Sequence, residues 1–300
     1  MYNQEFGDRP MMQLTRRQFL KLTAAGMAAL ALPRGLRAQA TPARRLRIAL
    51  LHLAPVPGDL DHNRRLIEKG LTTAAGMDAA WIITPELCLT GYTFADRLGT
   101  DWIAPQPDEW MRQMCDRAAR LGVTLFLSHP ERDAQSGKLH NSVFVIAPDG
   151  TILGKHRKIN TLKVGSEAWS TPGTETVAIP VPPFRAVGLL ICADAASLEF
   201  ARRYKSQGAE LLVSSAAWAP GLHGPSGEWE RCTQDTGLPL IVCNRTGPDK
   251  TLDFTKGESV VVQDGRRLVS FSEQRSAVVT VEWDLEARTL ATDVIHSVDL

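Results

Sequence analysis

The chain has 300 residues, 44% hydrophobic and 22% charged, enough to bury one large core and compatible with one or two domains. Its formal charge of +1 conceals a division: residues 1–40 hold six bases (Arg9, Arg16, Arg17, Lys21, Arg34, Arg37) and two acids (Glu5, Asp8), so of 34 bases and 33 acids the rest keeps 28 and 31, about −3. That balance, with no basic stripe, gives no electrostatic reason for a nucleic-acid partner, and no apolar run reaches the roughly 18 residues of a membrane-spanning helix.

The first 40 residues read as an address. Thr15-Arg16-Arg17-Gln18-Phe19-Leu20-Lys21 precedes a mildly apolar, alanine-rich stretch from Leu22 to Leu32 and the small-residue pattern Ala38-Gln39-Ala40. In this order these features look like a twin-arginine export signal. Such a signal implies the twin-arginine export machinery as a partner, a periplasmic or secreted destination, and no membrane association after removal. The expected organisation is a signal over 1–40 and a single domain over 41–300. The five cysteines (Cys88, Cys115, Cys192, Cys232, Cys243) are odd in number and widely spaced, so at least one thiol is expected free even in an oxidising compartment.

From Arg47 onward, short β-branched or leucine-rich runs alternate with amphipathic stretches. Arg47 to Leu53, Trp81 to Thr84, Val123 to Ser128 and Ser142 to Ile146 read as strands, and Asp61 to Met77 and Pro107 to Leu121 as helices, the second capped by Gly122. The second half repeats the theme. Strands are expected near Val187 to Ile191, Leu211 to Ser214, Leu240 to Cys243, Ser259 to Val262 and Val278 to Glu282, with helices near Leu198 to Gln207 and Ser226 to Thr236. Asp149-Gly150 and Asp264-Gly265 fit tight hairpin turns. The stretch Ile179-Pro180-Val181-Pro182-Pro183 reads as an irregular crossing between the halves, and Gly221 to Trp229 as a loop able to cover a site. Alternating strands and helices without a linker predict a single α/β domain with buried strands in one or two sheets.

Polar residues stand at the ends of these strands. Glu86 follows Trp81-Ile82-Ile83-Thr84-Pro85, and Cys192 follows Gly188-Leu189-Leu190-Ile191, at the strand edge where open α/β sheets bind ligands. Lys158 closes the basic segment Gly154-Lys155-His156-Arg157-Lys158. Singly, each has a plain reading: a buried small thiol, a helix-start carboxylate, a solvated cation.

Together, Pro85-Glu86-Leu87-Cys88-Leu89-Thr90-Gly91-Tyr92, Gly154-Lys155-His156-Arg157-Lys158, Glu167 ahead of Pro172-Gly173, and Gly188-Leu189-Leu190-Ile191-Cys192-Ala193-Asp194 resemble in order and spacing the signature segments of the nitrilase superfamily. The likeness continues through Ala216-Ala217-Trp218, Cys243-Asn244-Arg245-Thr246-Gly247 and Gly257-Glu258-Ser259, covering about residues 46 to 285. It implies an α-β-β-α four-layer sandwich, a homo-oligomer, and a triad of Glu86 as general base, Lys158 as oxyanion stabiliser and Cys192 as nucleophile. The backbone N–H of Ala193 is a second oxyanion donor, and Glu167 stands beside the lysine. The activity implied is cleavage of a non-peptide C–N bond of a small amide, carbamoyl compound or nitrile through a thioester, with no cofactor. No metal is expected, since the seven histidines show no ligand spacing. His156 stands where the family often has an aromatic. Ala193-Asp194 leans toward an amide or carbamoyl substrate, and its small side chain leaves the pocket's shape open. Tyr92, Trp169, Trp218 and Arg231 are candidates to line that pocket.

Three other readings compete. A papain-like hydrolase would pair Cys192 with His223 or His296 and Asn244, but leaves Glu86 and Lys158 unexplained. A silent binding scaffold has no physical need of a buried acid, base and thiol together. Acyl transfer to an amine would use the same thioester.

Overall fold

The computed structural model describes residues 44–162, 165–221 and 224–300. The segment read as an export signal and His223 lie outside the described residues. The strand-forming runs Arg45–His52 (β1), Trp81–Ile83 (β2) and Thr124–Arg132 (β3) pair in parallel, because the helices Leu60–Gly76 (α1), Ala95–Leu98 (α2) and Glu109–Leu121 (α3) carry the chain back between them. Antiparallel strands extend both sides. Leu139–Ile146 (β4) and Ile152–Arg157 (β5) follow β3, while Ala277–Asp284 (β12) pairs with β1 and carries Thr289–Leu290 (β13) and His296–Asp299 (β14).

The second half repeats this plan. Phe184–Ile191 (β7), Leu211–Ala216 (β8) and Leu240–Asn244 (β9) are parallel, joined through helices Leu198–Ser206 (α4) and Glu228–Thr236 (α5). Ser259–Gln263 (β10) and Arg266–Phe271 (β11) continue one edge antiparallel. At the other edge the Pro-rich stretch, expected to be irregular, contains the short strand Ile179–Val181 (β6), in which Ile179 pairs with Val187 and Val181 with Phe184. Proline is tolerated there because an edge strand has one side with no ladder to donate to. The strands and helices expected from the sequence form close to their expected ends. The main difference is β3, which runs on to Arg132 because its continuation stays paired with β4.

Alternation along β1 sets the layers. Ile48 and Leu50 join the core that also holds Val187, Leu189, Val213 and Ile241 of the second sheet, whereas Ala49 and Leu51 pack with Ile67 and Leu71 of α1 and Met111 and Met114 of α3. On the far side, Phe200, Ala201 and Tyr204 of α4 and Trp229 and Cys232 of α5 cover the second sheet. The result is the four-layer α-β-β-α sandwich, with both sheets sharing a central apolar seam. Hydrogen bonds cross that seam. His52 Nδ1 meets Ser259 Oγ at 2.9 Å, and Ser215 Oγ donates to Thr84 O at 2.8 Å.

Strand β7 leads straight to Cys192, and its packing is tight. A Cβ on Gly188 would stand 2.5 Å from Tyr204 Cγ and 2.7 Å from Leu212 Cδ2, while the Tyr204 hydroxyl donates to Leu189 O at 2.7 Å. We expect Gly188→Ala to destabilise the fold by about 1–3 kcal/mol through overpacking. Denaturant titration with an unchanged m-value checks this, and a stability equal to that of the unmodified protein would contradict the packing described.

Candidate active site

The carboxyl ends of β2, β7 and β8 meet where the two sheets face each other. Thr84 fixes the first: its hydroxyl donates to Phe126 O at 3.0 Å and accepts from Ser128 N at 2.9 Å, while Ser215 of β8 takes its carbonyl. Pro85 then turns the chain, and Glu86 N donates to Ala216 O at 3.3 Å. Two non-glycine residues here adopt left-handed backbone conformations, Leu87 at φ +49° and Cys192 at φ +49°. Such positions cost energy and persist only where surrounding contacts over-determine them. At Leu87 the backbone N–H is held by Ser128 Oγ at 2.8 Å.

Lys158 follows β5 and is buried with its ammonium enclosed by carboxylates. Nζ donates to Glu86 Oε1 at 2.7 Å and to Glu167 Oε1 and Oε2, both at 2.8 Å. Glu167, in the tight turn Gly165–Glu167, also accepts from Leu162 N at 3.2 Å and from the Tyr92 hydroxyl at 3.1 Å. Asn141 of β4 donates to Glu86 Oε1 at 2.7 Å and Glu167 Oε1 at 3.0 Å. Lys158 is kept in register by its backbone as well. Its N–H donates to Asn141 O at 2.8 Å and its carbonyl accepts from Gly173 N at 2.7 Å. Glycine is required at 173 because a Cβ would lie 2.4 Å from Arg157 O.

Ala217 joins the thiol to the acid. Its N–H donates to Glu86 Oε2 at 2.9 Å and its carbonyl accepts from Cys192 Sγ at 3.6 Å. Burial pushes the Cys192 thiol well above its ordinary range and the charge of Glu86 pushes it further, opposed by Lys158. Burial alone does not mark this cysteine, since it also raises Cys88 to about 12 and Cys232 to about 11. Cys232 also feels nearby charges, from Asp235, Arg231 and Glu228, but the carboxylate and ammonium that reach Cys192 are the fully buried Glu86 and Lys158. Burial raises the Glu86 carboxyl, Lys158 lowers it and Glu167 raises it again. Burial opposes charge on Lys158, but Glu86, the thiol and Glu167 overcome this and hold the ammonium well above its usual range. The arrangement thus holds a fixed cation beside a buried thiol, with an acceptor able to take its proton.

Asp194 had entered the sequence reading only as a hint of substrate class. Its buried carboxylate accepts four hydrogen bonds, from Ile191 N at 3.0 Å, Ile159 N at 3.0 Å, Asn160 N at 2.8 Å and His156 Nε2 at 2.9 Å. These donors flank both Lys158 and Cys192, so one side chain fastens the segment carrying the ammonium to the turn carrying the thiol. Asn160 Nδ2 adds a bond to Ala193 O at 3.0 Å. His156, where an aromatic was expected, supplies one of those donors and stacks edge-on with Tyr204 at 6.3 Å.

The outer candidates divide. Tyr92 lies in the cluster, its ring 6.0 Å from Lys158 Nζ. Its backbone N–H is held by Asp249 Oδ2 at 3.1 Å, and Asp249 pairs at 2.5 Å with the buried Arg245. Trp218 follows Ala217. Its backbone exchanges two 3.0 Å bonds with the Asn244 amide, and its ring meets Trp229 edge-on at 5.6 Å. Trp169, edge-on to Phe94, lines a cavity of about 390 Å³ with Thr93, Asp96 and Ser166, neighbours in the chain of Tyr92 and Glu167. Arg231, expected in the pocket, is not brought there. It is exposed on α5, where Glu228 one turn away takes its guanidinium at 3.0 Å and Ser226 O at 2.8 Å, a local pairing the helix spacing favours. Among the described residues no imidazole hydrogen-bonds Cys192. His296 is exposed on β14, opposite Thr280.

A family model described as carbon-nitrogen hydrolase matches residues 47–292. The chain belongs to the carbon-nitrogen hydrolase family. As a member, it is an enzyme acting on C–N bonds other than peptide bonds. A model of the twin-arginine translocation pathway signal matches residues 13–33, so this hydrolase carries an export address. Among relatives, a probable nitrilase of Schizosaccharomyces pombe is 26% identical over 80% of this chain and 89% of its own, and omega-amidase NIT2 of Danio rerio 28% identical over 81% and 88%. Among solved structures, an amidase of Nesterenkonia sp. AN1 superposes with TM-score 0.69 at 24% identity, covering 80% of this chain and 90% of that one. Saccharomyces cerevisiae Nit3, of branch 10 of the nitrilase superfamily, gives 0.69 at 21% identity, over 81% and 91%. Both share the sandwich with this hydrolase.

Asp194→Asn places an amide N–H against donors the carboxylate now satisfies. We expect the variant to lose about 3 kcal/mol of stability, read by denaturant unfolding. Retention of full stability would show that these four bonds do not hold the two segments together.

Proposed function

We propose that this chain is an exported amidase, hydrolysing a small carboxamide or carbamoyl compound through a thioester on Cys192. The observation that carries the reading is the enclosure of one buried ammonium, Lys158, by Glu86 and Glu167, with Ala217 linking Glu86 to the thiol. In this reading Sγ attacks the amide carbon as its proton passes to Glu86. Charge then develops on the carbonyl oxygen, facing Lys158 and the Ala193 N–H. The C–N bond breaks as Glu86 returns the proton to nitrogen, and ammonia or an amine leaves. Water, deprotonated by Glu86, attacks the thioester, releases the carboxylic acid and restores the thiol. Glu167 holds Lys158 and takes no proton.

The relatives support this choice. One is named an omega-amidase, and a mutant of the Nesterenkonia amidase carries the acetamide moiety of fluoroacetamide added covalently at its active-site cysteine. The cavity of about 390 Å³ lined by Thr93, Asp96, Ser166 and Trp169 is of small-molecule size, and we assign Tyr92, Trp169 and Trp218, but not Arg231, to the substrate's surroundings, a reading supported by the contact of Tyr92 with Glu167 and the place of Trp218 next to Ala217. We further propose cleavage after Ala40, a periplasmic or secreted destination and a homo-oligomeric state, readings that rest on the signal match and the family resemblance.

Ammonia release across a panel of small amides, carbamoyl compounds and nitriles tests the activity, with Cys192→Ala as the blank. We expect release from at least one amide or carbamoyl compound, abolished in Cys192→Ala; release only from nitriles, or release that survives the substitution, would overturn the reading. The pH profile is a second test. Because Glu86 must be ionised to accept the thiol proton and burial raises its carboxyl, kcat/KM should fall as pH drops through a limb lying above the ordinary carboxylate range. A limb at the ordinary carboxylate position would remove Glu86 as the base.

A further inference from the structure

Asn141 contacts every charged member of the cluster, and no motif in the sequence singles it out. Its backbone carbonyl accepts from Lys158 N at 2.8 Å, and its own N–H donates to Ser170 Oγ at 3.2 Å. Its side-chain amide has two N–H groups, and both are spent: Nδ2 stands 2.7 Å from Glu86 Oε1 and 3.0 Å from Glu167 Oε1. Lys158 Nζ donates to the same two oxygens, at 2.7 and 2.8 Å. Two donors and two acceptors therefore alternate around a closed ring. The amide has one sensible orientation, since turning it over would set Oδ1 against both carboxylates. As placed, Oδ1 is buried without a protein donor among the described residues.

The ring makes the two oxygens of Glu86 unlike. Oε1 accepts from both Asn141 and Lys158, so a proton there would have to displace one of two short bonds. Among the described residues Oε2 accepts only from Ala217 N, at 2.9 Å, and Ala217 is the residue whose carbonyl meets Cys192 Sγ. We propose that Asn141 is a positioning residue that occupies Oε1 of Glu86 together with Lys158, and so reserves Oε2 for the proton that Cys192 gives up and nitrogen later receives. This rests on the amidase reading, since it assigns the geometry of that reading's base. The transfer balances: the S–H bond breaks as Oε2–H forms, and Oε2–H breaks as N–H forms on the departing nitrogen.

Removing the amide also removes a donor that favours the ionised carboxylate. The other groups facing Glu86 are Lys158, Glu167, the Cys192 thiol and Tyr92, with Arg245 further out. A substitution at 141 leaves all of these side chains in place, although Glu167 also loses the amide's 3.0 Å bond.

The test compares Asn141→Ala and Asn141→Ser with the unmodified protein by two readouts. The first is the rate of Cys192 alkylation by iodoacetamide against pH, which needs no substrate. The second is kcat and KM on an amide that the unmodified enzyme hydrolyses, with thermal melting to establish folding. We expect the acid limb of alkylation to move to higher pH, and kcat to fall about ten- to a hundredfold, as for loss of a hydrogen bond to a charged group, with KM within threefold. A folded variant with an unmoved limb and kcat within threefold would overturn the proposal. Failure of both variants to fold would also overturn it, by making Asn141 a requirement of the sandwich itself. If no amide is hydrolysed by the unmodified protein, the amidase reading fails, while the alkylation limb still reports on Asn141.

Discussion

The ammonium of Lys158, sealed between two carboxylates, is the constraint around which this structure is arranged. Taking such charges out of water costs several kcal/mol per ion, repaid only by close geometry and further hydrogen bonds. The local sum is one positive and two negative charges, so pairing alone does not neutralise the site. The surplus is spread over neutral donors: the Asn141 amide, the Ala217 and Leu162 N–H groups and the Tyr92 hydroxyl. Each comes from a different part of the chain. Electrostatics at this point therefore ties together the end of β2, the middle of β4, the segment after β5 and the end of β8, and a loss at any of them leaves a buried charge without its partner.

Around that centre the sandwich supplies rigidity. The three catalytic candidates follow strands or lie against them, and their neighbours are locked by bonds between sheets, such as Ser215 to Thr84, and within the turn, as with Asp194. Of the five described non-glycine residues with left-handed φ, Asp78, Asp264 and Arg288 lie elsewhere, while two belong to the site, Leu87 immediately after Glu86 and Cys192 at the thiol itself. Strain at these points aims side chains off the strand ends into the space between the sheets, and the surrounding packing bears its cost. A separate buried pair, Arg245 with Asp249, secures the Tyr92 backbone and stacks on Phe254 at 4.4 Å.

Much of this was legible in the sequence, for a physical reason. Parallel strands buried on both faces are continuous apolar runs, so Trp81–Ile83 and the stretch Val187 to Ile191 announce themselves, with Glu86 and Cys192 within three residues of their ends. Family likeness then joined Glu86, Lys158 and Cys192, which lie too far apart for local patterning to connect. What stayed hidden depends on register or exposure. Strand β5 is largely exposed and rich in bases, so only the hairpin turn before it hinted at its presence; β6 was masked by prolines; β13 has two residues, both half-buried, and β14 is short and exposed. Asn141 was invisible because the sequence reads as a strand only from Ser142 onward, whereas β4 begins at Leu139 and carries Asn141 on its buried length. The signal available was its type, since asparagine is uncommon within strands and must find partners when buried. For Arg231 the sequence shows the charge but not its partner, and in the structure Glu228, one helical turn away, takes the guanidinium.

The five thiols bear on how such a molecule survives outside the cytosol. All are unpaired, and only Cys115, on the outer helix layer, is more than marginally open to solvent. Nothing in the sandwich waits for an oxidant to complete it, which suits a protein that a twin-arginine address sends across the membrane already folded. The same burial then works as chemical insulation. With thiols pushed toward the protonated form and shut away from one another, an oxidising milieu meets little sulfur it can couple, and the reactive sulfur at residue 192 keeps its electrons for substrate.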